Sequence, residues 1–351
     1  MNCLCLVAFL AIVIAQSYSV LGVEAASSDG FVSRKGIQFI LNGKPFYANG
    51  FNAYWLGYEA TDPATRFKIT YALQNATTNG LTIARTWGFR DGGYRALQIT
   101  PGSYDELTFQ TMVNRVNTFT KIAYKDEAAI MAWELMNEPQ CKADPSGKTL
   151  TAWISEMAPY VKSLDSNHLL GTGLEGFYGD SSPERKTSLN PVAANVLGTD
   201  FIANHNIDAI DFASIHAYPD LWFPNLNETG RLDYLSYWIE GHMEDAESIL
   251  KKPLILGEFG KPTETPGYTQ AQRDAVFVVT FETIYESAAK GGPAAGALFW
   301  HLISDGMNNF KDGLAIVLSD KSSTNSIIGQ QSRKLRLIGG GKGKLSRKIK
   351  N

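Results

Sequence analysis

Cysteine is scarce in this 351-residue chain, which contains only three of them. Cys3 and Cys5 lie in the apolar stretch of residues 1–14, and Cys141 alone lies in the body of the chain. If that stretch is removed, no intrachain disulfide can form, and Cys141 is interpreted as a partly buried thiol, the alternative being an intermolecular link. A disulfide-stapled scaffold is therefore excluded, and the fold must depend on a hydrophobic core.

Charge is missing from residues 1–14, and no second apolar run of membrane-spanning length follows them. Fourteen residues are too few to cross a bilayer comfortably, and the small residues of Val23-Glu-Ala-Ala26 come soon after. This pattern predicts a signal peptide cut after Ala25 and therefore secretion to the cell exterior or wall, the alternative being an uncleaved anchor. The sequons at Asn75 and Asn227 are compatible with glycosylation.

The chain also has no excess of basic charge. Its net charge is -3, of which the predicted signal contributes one acid, while residues 339–351 carry five positive charges and no acid. The body, residues 26–338, thus has a net charge of -7, which argues against a nucleic-acid partner. The basic tail is interpreted as a disordered end, the alternative being a weak attraction to acidic wall polymers. We expect a monomer with no membrane partner.

Seven short apolar segments recur along the body, and amphipathic stretches separate them. They are residues 45–55, 81–89, 129–139, 169–176, 211–219, 253–260 and 296–302. Their continuous apolar interiors are typical of parallel strands buried on both faces, and residues 150–164 and 270–289 show helical spacing between them. No linker divides the chain, so the pattern predicts one α/β domain, a (β/α)₈ TIM barrel.

Each apolar segment ends in polar or aromatic residues. These ends are Phe51-Asn52, Arg85-Thr-Trp87, Asn137-Glu138, Glu175-Gly176, His216-Ala-Tyr218, Glu258-Phe259 and Trp300-His301. The carboxyl ends of barrel strands carry the active site of such enzymes. Two glutamates among them, Glu138 and Glu258, match the requirement of glycoside hydrolysis for one proton donor and one attacking or stabilising carboxylate. The alternative is two structural carboxylates, which is how we interpret Glu134.

The motifs resemble those of a known enzyme family. Asn137-Glu-Pro139 is similar to the acid/base motif of glycoside hydrolase family 5, and Gly257-Glu-Phe-Gly260 to its nucleophile motif. Further matches are to the plant endo-β-1,4-mannanases and cover nearly the whole body, to about residue 337. They are Phe51-Asn-Ala-Tyr-Trp55, Ala84-Arg-Thr-Trp-Gly88, Gly173-Leu-Glu-Gly-Phe-Tyr-Gly179 and Ser214-Ile-His-Ala-Tyr-Pro219.

The resemblance implies roles for the four charged or amide side chains at the strand ends. Glu138 corresponds to the acid/base, and Glu258 to the nucleophile that forms a glycosyl-enzyme ester with retention. Asn137 corresponds to the residue that binds the sugar 2-hydroxyl. Arg85 corresponds to the cation that keeps the nucleophile ionised, and a structural ion pair is its other interpretation.

The remaining implied contacts are aromatic or histidine side chains. His216 and Tyr218 correspond to residues that orient the two carboxyls, Trp300 to the platform under the sugar at the cleavage point, and Trp87 to a further sugar contact. Trp300 alternatively belongs to the core. The other histidines show no metal-ligand spacing, so neither a metal nor a cofactor is expected.

One barrel strand is missing from the pattern. Between residues 89 and 129 lie 39 residues, enough for one crossover but not for a helix, a strand and a second helix at about 30 residues per unit. Residues 111–124 are predicted to be helical. Against the family, the chain jumps at Gln110/Thr111, where the third strand is absent.

The sequence therefore supports three functions. The first is a retaining endo-β-1,4-mannanase that cuts internal bonds of mannan, glucomannan and galactomannan in plant cell walls. The second is a catalytically impaired, carbohydrate-binding remnant of the same scaffold, since a strand is missing. The third is a related cellulase, which shares both glutamates.

Overall fold

A computed structural model describes residues 11–15, 30–88, 98–100 and 103–339 of the chain. Its main feature is an eight-stranded sheet with helices packed around it. Hydrogen bonds from Asp211 N to Leu170 O (2.7 Å) and from His216 N to Glu175 O (2.8 Å) link the two outermost strands of the sheet order. The sheet is therefore curved back on itself as in a TIM barrel.

The strands vary from two to six residues in length. They are β1 Ala11–Ala15, β2 Ser33–Lys35, β3 Gln38–Leu41, β4 Lys44–Phe46, β5 Ala48–Asn52, β6 Ile83–Trp87, β7 Gln98–Thr100, β8 Ser103–Tyr104, β9 Ile130–Glu134, β10 Leu169–Gly171, β11 Ala213–Ala217, β12 Leu254–Phe259, β13 Ala294–Phe299, β14 Leu302–Ile303 and β15 Ile316–Val317. The order in the main sheet is β10-β9-β1-β6-β5-β13-β12-β11.

Each of the seven apolar segments of the sequence overlaps a strand of this sheet, as predicted. The observed strands are shorter than the apolar runs, because their polar ends leave the sheet and form the mouth of the barrel. Strands β9 to β13, β5 and β6 pair in parallel wherever they adjoin one another. Their residues are almost all buried, as expected for a sheet covered on both faces.

In the described residues no parallel strand lies between β6 and β9, as the sequence predicts, but the slot of the third strand is filled. Strand β1, from the predicted signal peptide, lies antiparallel between β6 and β9 in the slot of that strand. It pairs with five residues of β6 but shows a register shift against β9. The sheet thus has eight members, but the third is borrowed from the N-terminus because two neighbouring strands leave backbone groups that need partners.

Ten α-helices connect or flank the strands in the described ranges, beside shorter 3₁₀ and π-helical turns. They are α1 Leu56–Thr61, α2 Arg66–Thr78, α3 Glu106–Val113, α4 Lys148–Leu164, α5 Pro183–Leu189, α6 Phe201–His205, α7 Pro219–Trp222, α8 Glu228–Asp245, α9 Gln270–Ala289 and α10 Ser323–Gly339. The predicted helices 150–164 and 270–289 are confirmed as α4 and α9. Helix α9 begins at a capping box, in which Thr269 and Gln272 exchange hydrogen bonds.

The predicted helix over residues 111–124 is wrong. Helix α3 ends at Val113, and the chain then turns back so that Val116 and Ala123 form an antiparallel bridge. Asn117 causes the turn, because its side-chain oxygen accepts hydrogen bonds from the backbone of Phe119 and Thr120. Lys121 completes it with a positive φ of 63°.

The core has two main parts. One is the layer between the strands and the helices, and the other, which we call the plug, closes the amino-terminal end of the barrel strands. In the plug, Val32, which precedes β2, and Phe39 of β3 pack against Ile83 and Leu298 of the barrel strands and against Phe212, which precedes β11. The opposite, carboxyl-terminal end is left for polar side chains. Within the described ranges, no helix has the length and apolar character needed to span a membrane. The basic tail beyond Gly339 lies outside the described residues, as does most of the predicted signal.

Candidate active site

Arg85 is the centre of the polar cluster at the mouth of the barrel. It projects from β6, is 1% exposed, and donates from Nε to Glu134 (2.8 Å) and from Nη1 to Asn52 (3.0 Å). It also donates from Nη1 to Glu258 (2.6 Å) and from Nη2 to Asn137 (2.7 Å). Burial opposes its charge, but Glu134 and Glu258 outweigh burial and raise the pKa of Arg85. The guanidinium is therefore a permanent positive charge.

Glu258 lies at the end of β12 and is almost completely buried. One carboxylate oxygen receives Arg85, and the other receives the Tyr218 hydroxyl at 2.8 Å. Burial raises the pKa of Glu258, while His216, Arg85 and Tyr218 oppose the rise by favouring the charged form. Burial and the nearby Glu258 raise the pKa of Tyr218 well above its usual value, so the phenol remains a donor.

Glu138 faces Glu258 across the site and is more accessible, with 31% of its side chain exposed against 4% for Glu258. Its Oε1 lies 2.6 Å from His216 Nδ1. Burial lowers the pKa of His216 to about 4, so the ring is neutral at higher pH. His216 Nε2 has no hydrogen-bond partner among the described residues, which favours the tautomer that donates from Nδ1 to Glu138. Burial raises the pKa of Glu138 itself, and Arg85 limits the rise.

The backbone around Glu138 is held in a constrained conformation. Glu138 has a positive φ of 50°, which is uncommon outside glycine, and its N–H donates to Gly173 O at 2.8 Å. Gly173 also has a positive φ, and a Cβ there would lie 1.9 Å from the carbonyl oxygen of Met136. A glycine is therefore required at position 173, because only a residue without Cβ lets this segment approach residues 136–138 closely enough to hold Glu138 in place.

An aromatic floor borders the two carboxyls. Trp300, just after β13, stacks on Tyr54 with ring centroids 5.5 Å apart and nearly parallel planes, and Trp87 contacts it edge-on at 5.4 Å. The indole N–H of Trp300 donates to Asp312 at 2.7 Å, and His301 Nε2 lies 3.2 Å from the other oxygen of Asp312. Although burial opposes the charge, the hydrogen bonds from His301 and Trp300 lower the pKa of Asp312.

The structure brings all eight sequence-predicted site residues to this end of the barrel. Sequence reasoning missed the contribution of Tyr54 and Asp312, and it noted Glu175 only as the polar end of a strand. Burial and the Glu138 carboxylate raise the pKa of Glu175 to about 8, although it accepts a 2.6 Å hydrogen bond from Gln140. No local pattern marks Asp312, since it follows its partner Trp300 by twelve residues in an irregular segment.

Glu138, His216 and Glu258 also place one potential metal-ligating atom each within 4.8 Å of one another. The hydrogen bonds described above account for these atoms. In addition, the Arg85 guanidinium lies 2.6 Å from Glu258, and its positive charge disfavours a second cation there. The donor set therefore fits a hydrogen-bonded carboxyl pair better than a metal centre.

Comparisons with known proteins place this cluster in a family. The model of the glycoside hydrolase family 5 β-mannosidase-like family matches residues 103–312. Mannan endo-1,4-beta-mannosidase 3 of Arabidopsis thaliana is 67% identical over 99% of both chains. Mannan endo-1,4-beta-mannosidase 1 of Oryza sativa is 41% identical over 88% of this chain and 87% of its own. The chain belongs to glycoside hydrolase family 5, in its β-mannosidase-like group, and it is a glycoside hydrolase by descent.

Solved structures agree with this fold. The endo-1,4-β-mannanase of Rhizomucor miehei superposes with a TM-score of 0.69 at 24% identity, over 89% of this chain and 100% of its own. A hyperthermostable endo-1,4-β-D-mannanase from Thermotoga petrophila gives 0.67 at 24% identity, over 82% and 99%. At such low identity these two matches establish the α/β barrel fold and nothing further.

The alignments also measure the missing segment. The first Arabidopsis alignment spans 412 positions, but 99% of 351 residues is about 347, so about 65 positions have no counterpart in this chain. For a second Arabidopsis relative, 50% identical, 96% of 351 is about 337 against 403 positions, which leaves about 66. The nearly equal shortfall agrees with the loss of one segment, which has the length of about two strand–helix units although only one strand of the barrel is missing in the described residues.

Proposed function

We propose that the chain is a retaining endo-β-1,4-mannanase whose substrate is the β-1,4-linked mannan, glucomannan or galactomannan of plant cell walls. The observation that carries this proposal is the closeness of the two carboxylates, since one oxygen of Glu138 lies within 4.8 Å of one oxygen of Glu258. Retaining glycosidases place their carboxyl groups about 5–5.5 Å apart, whereas inverting enzymes need about 6.5–9.5 Å to admit a water. The mannan specificity is proposed from the names of the relatives.

The environments of the two carboxyls match the two roles. Glu258 is buried and held by Arg85 and Tyr218, so its oxygen is aimed and charged for attack on the anomeric carbon. Glu138 is more exposed and has a raised pKa, so it can hold a proton and later exchange one with water. Burial raises the pKa of both carboxyls, so the assignment rests on their partners and their access to water. Arg85 and Tyr218 favour the ionised form of Glu258 that attack requires, whereas the more open Glu138 can exchange a proton with water.

The reaction would proceed in two displacements. Glu258 forms a glycosyl ester as the glycosidic bond breaks, and Glu138 gives its proton to the departing oxygen. Glu138, now ionised, takes a proton from water, and the resulting hydroxide oxygen attacks the anomeric carbon and releases Glu258. Neutral His216 donates to ionised Glu138 and so stabilises it between the two steps.

The other side chains would bind and orient the sugar. The side-chain oxygen of Asn137 accepts a hydrogen bond from Arg85, which fixes the orientation of the Asn137 amide. Its NH₂ group is then left as a donor for the sugar 2-hydroxyl. Trp300 offers a flat face that Tyr54 supports from behind, and Trp87 adds an aromatic edge. Aromatic faces of this kind suit the apolar surface of a sugar ring.

We further propose that the protein is secreted to the cell wall, acts as a monomer, and is glycosylated. The apolar residues 1–14 and the small residues before Ala26 support export. The predicted cut after Ala25 would remove β1, so the exported form would lack the strand that lies between β6 and β9. Asn227 is exposed at the N-terminus of α8, where its side-chain oxygen caps Gly230 N at 2.8 Å. Attachment of a glycan to its nitrogen would leave that oxygen in place, so the cap is compatible with modification.

The test is hydrolysis of soluble glucomannan by the full chain and by Glu138→Gln and Glu258→Gln. We expect each variant to lose several orders of magnitude in kcat with an unchanged fold, because both groups act in the transition state. Glu184→Gln, at an exposed glutamate on α5, is the matched control and should remain fully active. Substantial activity in Glu258→Gln would overturn the nucleophile assignment.

Two further readouts separate the alternatives. Binding to insoluble mannan without release of reducing ends would identify a carbohydrate-binding remnant, and the shortfall of about 65 alignment positions gives that alternative its support. Hydrolysis of soluble cellulose derivatives without mannan hydrolysis would identify a cellulase.

A further inference from the structure

A buried lysine lies two residues beyond the strand that carries Glu258. The Lys261 side chain is fully buried, and its Nζ donates to Asp220 Oδ1 at 2.7 Å and to Glu228 Oε2 at 2.8 Å. Asp220 is itself buried and lies two residues beyond Tyr218. Lysine is rarely buried unless it is paired, and this pair joins the segments that follow β11 and β12.

Arg231 completes the cluster, which we call the Lys261 ion cluster and which consists of Lys261, Asp220, Glu228 and Arg231. Arg231 Nη1 lies 3.2 Å from Asp220 Oδ1, and its other nitrogens donate to backbone carbonyls of residues 223 and 224. Two carboxylates face two cations, so the cluster has no net charge. A buried cluster of this kind is a weak source of net stability, because desolvation offsets the attraction.

The main chain of Lys261 is anchored from the other side. Arg273, on α9, donates from Nε and Nη2 to the Lys261 carbonyl at 3.3 and 3.0 Å, and from Nη2 to Gly313 O at 2.6 Å. Gly313 adjoins Asp312, which binds the Trp300 indole. Lys261 therefore contacts the Tyr218 segment through its side chain and, through Arg273, the segment that positions the aromatic floor.

We propose that Lys261 is a positioning residue for the reaction. Through Asp220 it holds the segment after β11 against the segment after β12, and this keeps the Tyr218 hydroxyl within 2.8 Å of Glu258 Oε2. The inference rests on the proposed function of Glu258 as nucleophile. Tyr218 directly follows β11, and Glu258 lies in β12, which pairs with β11 as far as Ala217 and Phe259. Beyond that pairing, the Tyr218–Glu258 hydrogen bond depends on the relative position of the two following segments, which Lys261 bridges.

The first test is Lys261→Met in the full chain, which keeps most of the side-chain volume and removes the charge. We expect kcat on glucomannan to fall by about tenfold to a hundredfold, as for small misplacements of reacting groups, with little change in KM. The acid limb of the pH profile should move to higher pH, because the Tyr218 hydrogen bond helps to hold down the pKa of Glu258. Unchanged kcat and an unchanged acid limb would overturn the proposal.

A matched control is available on the surface. Lys186 and Asp180 form a lysine–aspartate pair of similar length, 2.8 Å, with 21% and 62% exposure. Lys186→Met should leave kcat, KM and the pH profile unchanged, since exposed pairs contribute little. If it lowered kcat as much as Lys261→Met, the effect of Lys261 would be unspecific and the proposal would fail.

A double-mutant cycle with Tyr218→Phe tests the route. If Lys261 acts through Tyr218, Lys261→Met should lower kcat much less in the Tyr218→Phe background than in the natural chain. Equal losses in both backgrounds would show that Lys261 acts elsewhere. Asp220→Asn retains an acceptor for Lys261 and should therefore keep most of the kcat that Asp220→Ala loses. This pair of Asp220 variants tests the proposal if Lys261→Met does not fold.

A crystal structure separates this proposal from the proposed function. If the natural chain does not cleave mannan, the proposed function fails, but the Tyr218 Oη–Glu258 Oε2 distance can still be measured in Lys261→Met. An increase beyond hydrogen-bonding range supports the positioning role. A distance still near 2.8 Å would refute it.

Discussion

Replacement of Arg85 tests the electrostatic design of the site most directly. The guanidinium donates from three nitrogens to four side-chain oxygens, and a lysine ammonium at one point cannot reach them all. We expect Arg85→Lys to lose at least two of these bonds, each worth about 1.5–3 kcal/mol when a partner is charged. If that loss is expressed in the transition state, kcat/KM falls by about a hundredfold to ten-thousandfold.

Arg85→Met removes the positive charge in addition to the hydrogen bonds. Glu134 and Glu258 then remain buried without a cation beside them. Breaking a buried pair in this way costs about 3–5 kcal/mol, a large part of a typical stability of about 5–15 kcal/mol. Because Arg85 lowers the pKa of Glu258 and of Glu138, both values rise further in this variant. The proposed nucleophile, Glu258, must be ionised to attack, so the acid limb of kcat/KM is expected to move to higher pH.

The same shift predicts how stability depends on pH. A carboxyl whose pKa is raised on folding holds its proton more tightly in the folded state, so it destabilises the fold as pH rises through the window between its unfolded and folded pKa. Arg85→Met should therefore lose more stability near pH 7 than near pH 4. Urea unfolding at both pH values and a pH profile on soluble glucomannan measure the two effects. An unmoved acid limb together with a pH-independent stability loss would refute this account of Arg85.

Three further predictions concern stereochemistry and the missing segment. Proton NMR of the first products should show the β anomer, because the carboxylate spacing is that of a retaining enzyme; early α anomer would contradict it. Removal of residues 1–25 should lower the melting temperature, because β6 and β9 lose the strand between them and each unpaired buried group costs about 1–3 kcal/mol. Insertion of a family segment of about 60 residues after Gln110, about two strand–helix units, should raise melting and activity and abolish the effect of that truncation. Equal melting and activity with and without the insert would show that the segment is dispensable.

The barrel strands and two long helices are predictable from sequence because their signals are local. Parallel strands buried on both faces are continuous apolar runs, and α4 and α9 have apolar residues at helical spacing. The helix predicted over residues 111–124 fails for an equally local reason that hydrophobic periodicity does not detect. The side chain of Asn117 bonds to its own backbone neighbours and reverses the chain there.

Strand β1 could not be predicted from sequence, because its pairing depends on distant segments and not on a local signal. An apolar stretch at the N-terminus of a chain matches a signal peptide on composition alone, and nothing in residues 11–15 marks them as a partner for β6 and β9. That pairing exists because two strands that are distant in sequence leave a gap of one strand between them. Backbone hydrogen bonds between strands do not require a particular side-chain motif. Which segment fills the gap therefore depends on which segment can reach it.

The sequence by itself determined the family, the barrel and the two carboxyls, because motifs and strand-end positions are properties of short segments. Tertiary structure decided the surroundings of each carboxyl. Glu138 and Glu258 are the same residue type, and they differ because one is open and beside His216 while the other is buried between Arg85 and Tyr218. Asp312 and Lys261 likewise acquire their partners from distant elements. A pKa and a hydrogen-bond direction depend on the summed field of groups brought together by folding, and no single segment contains that information.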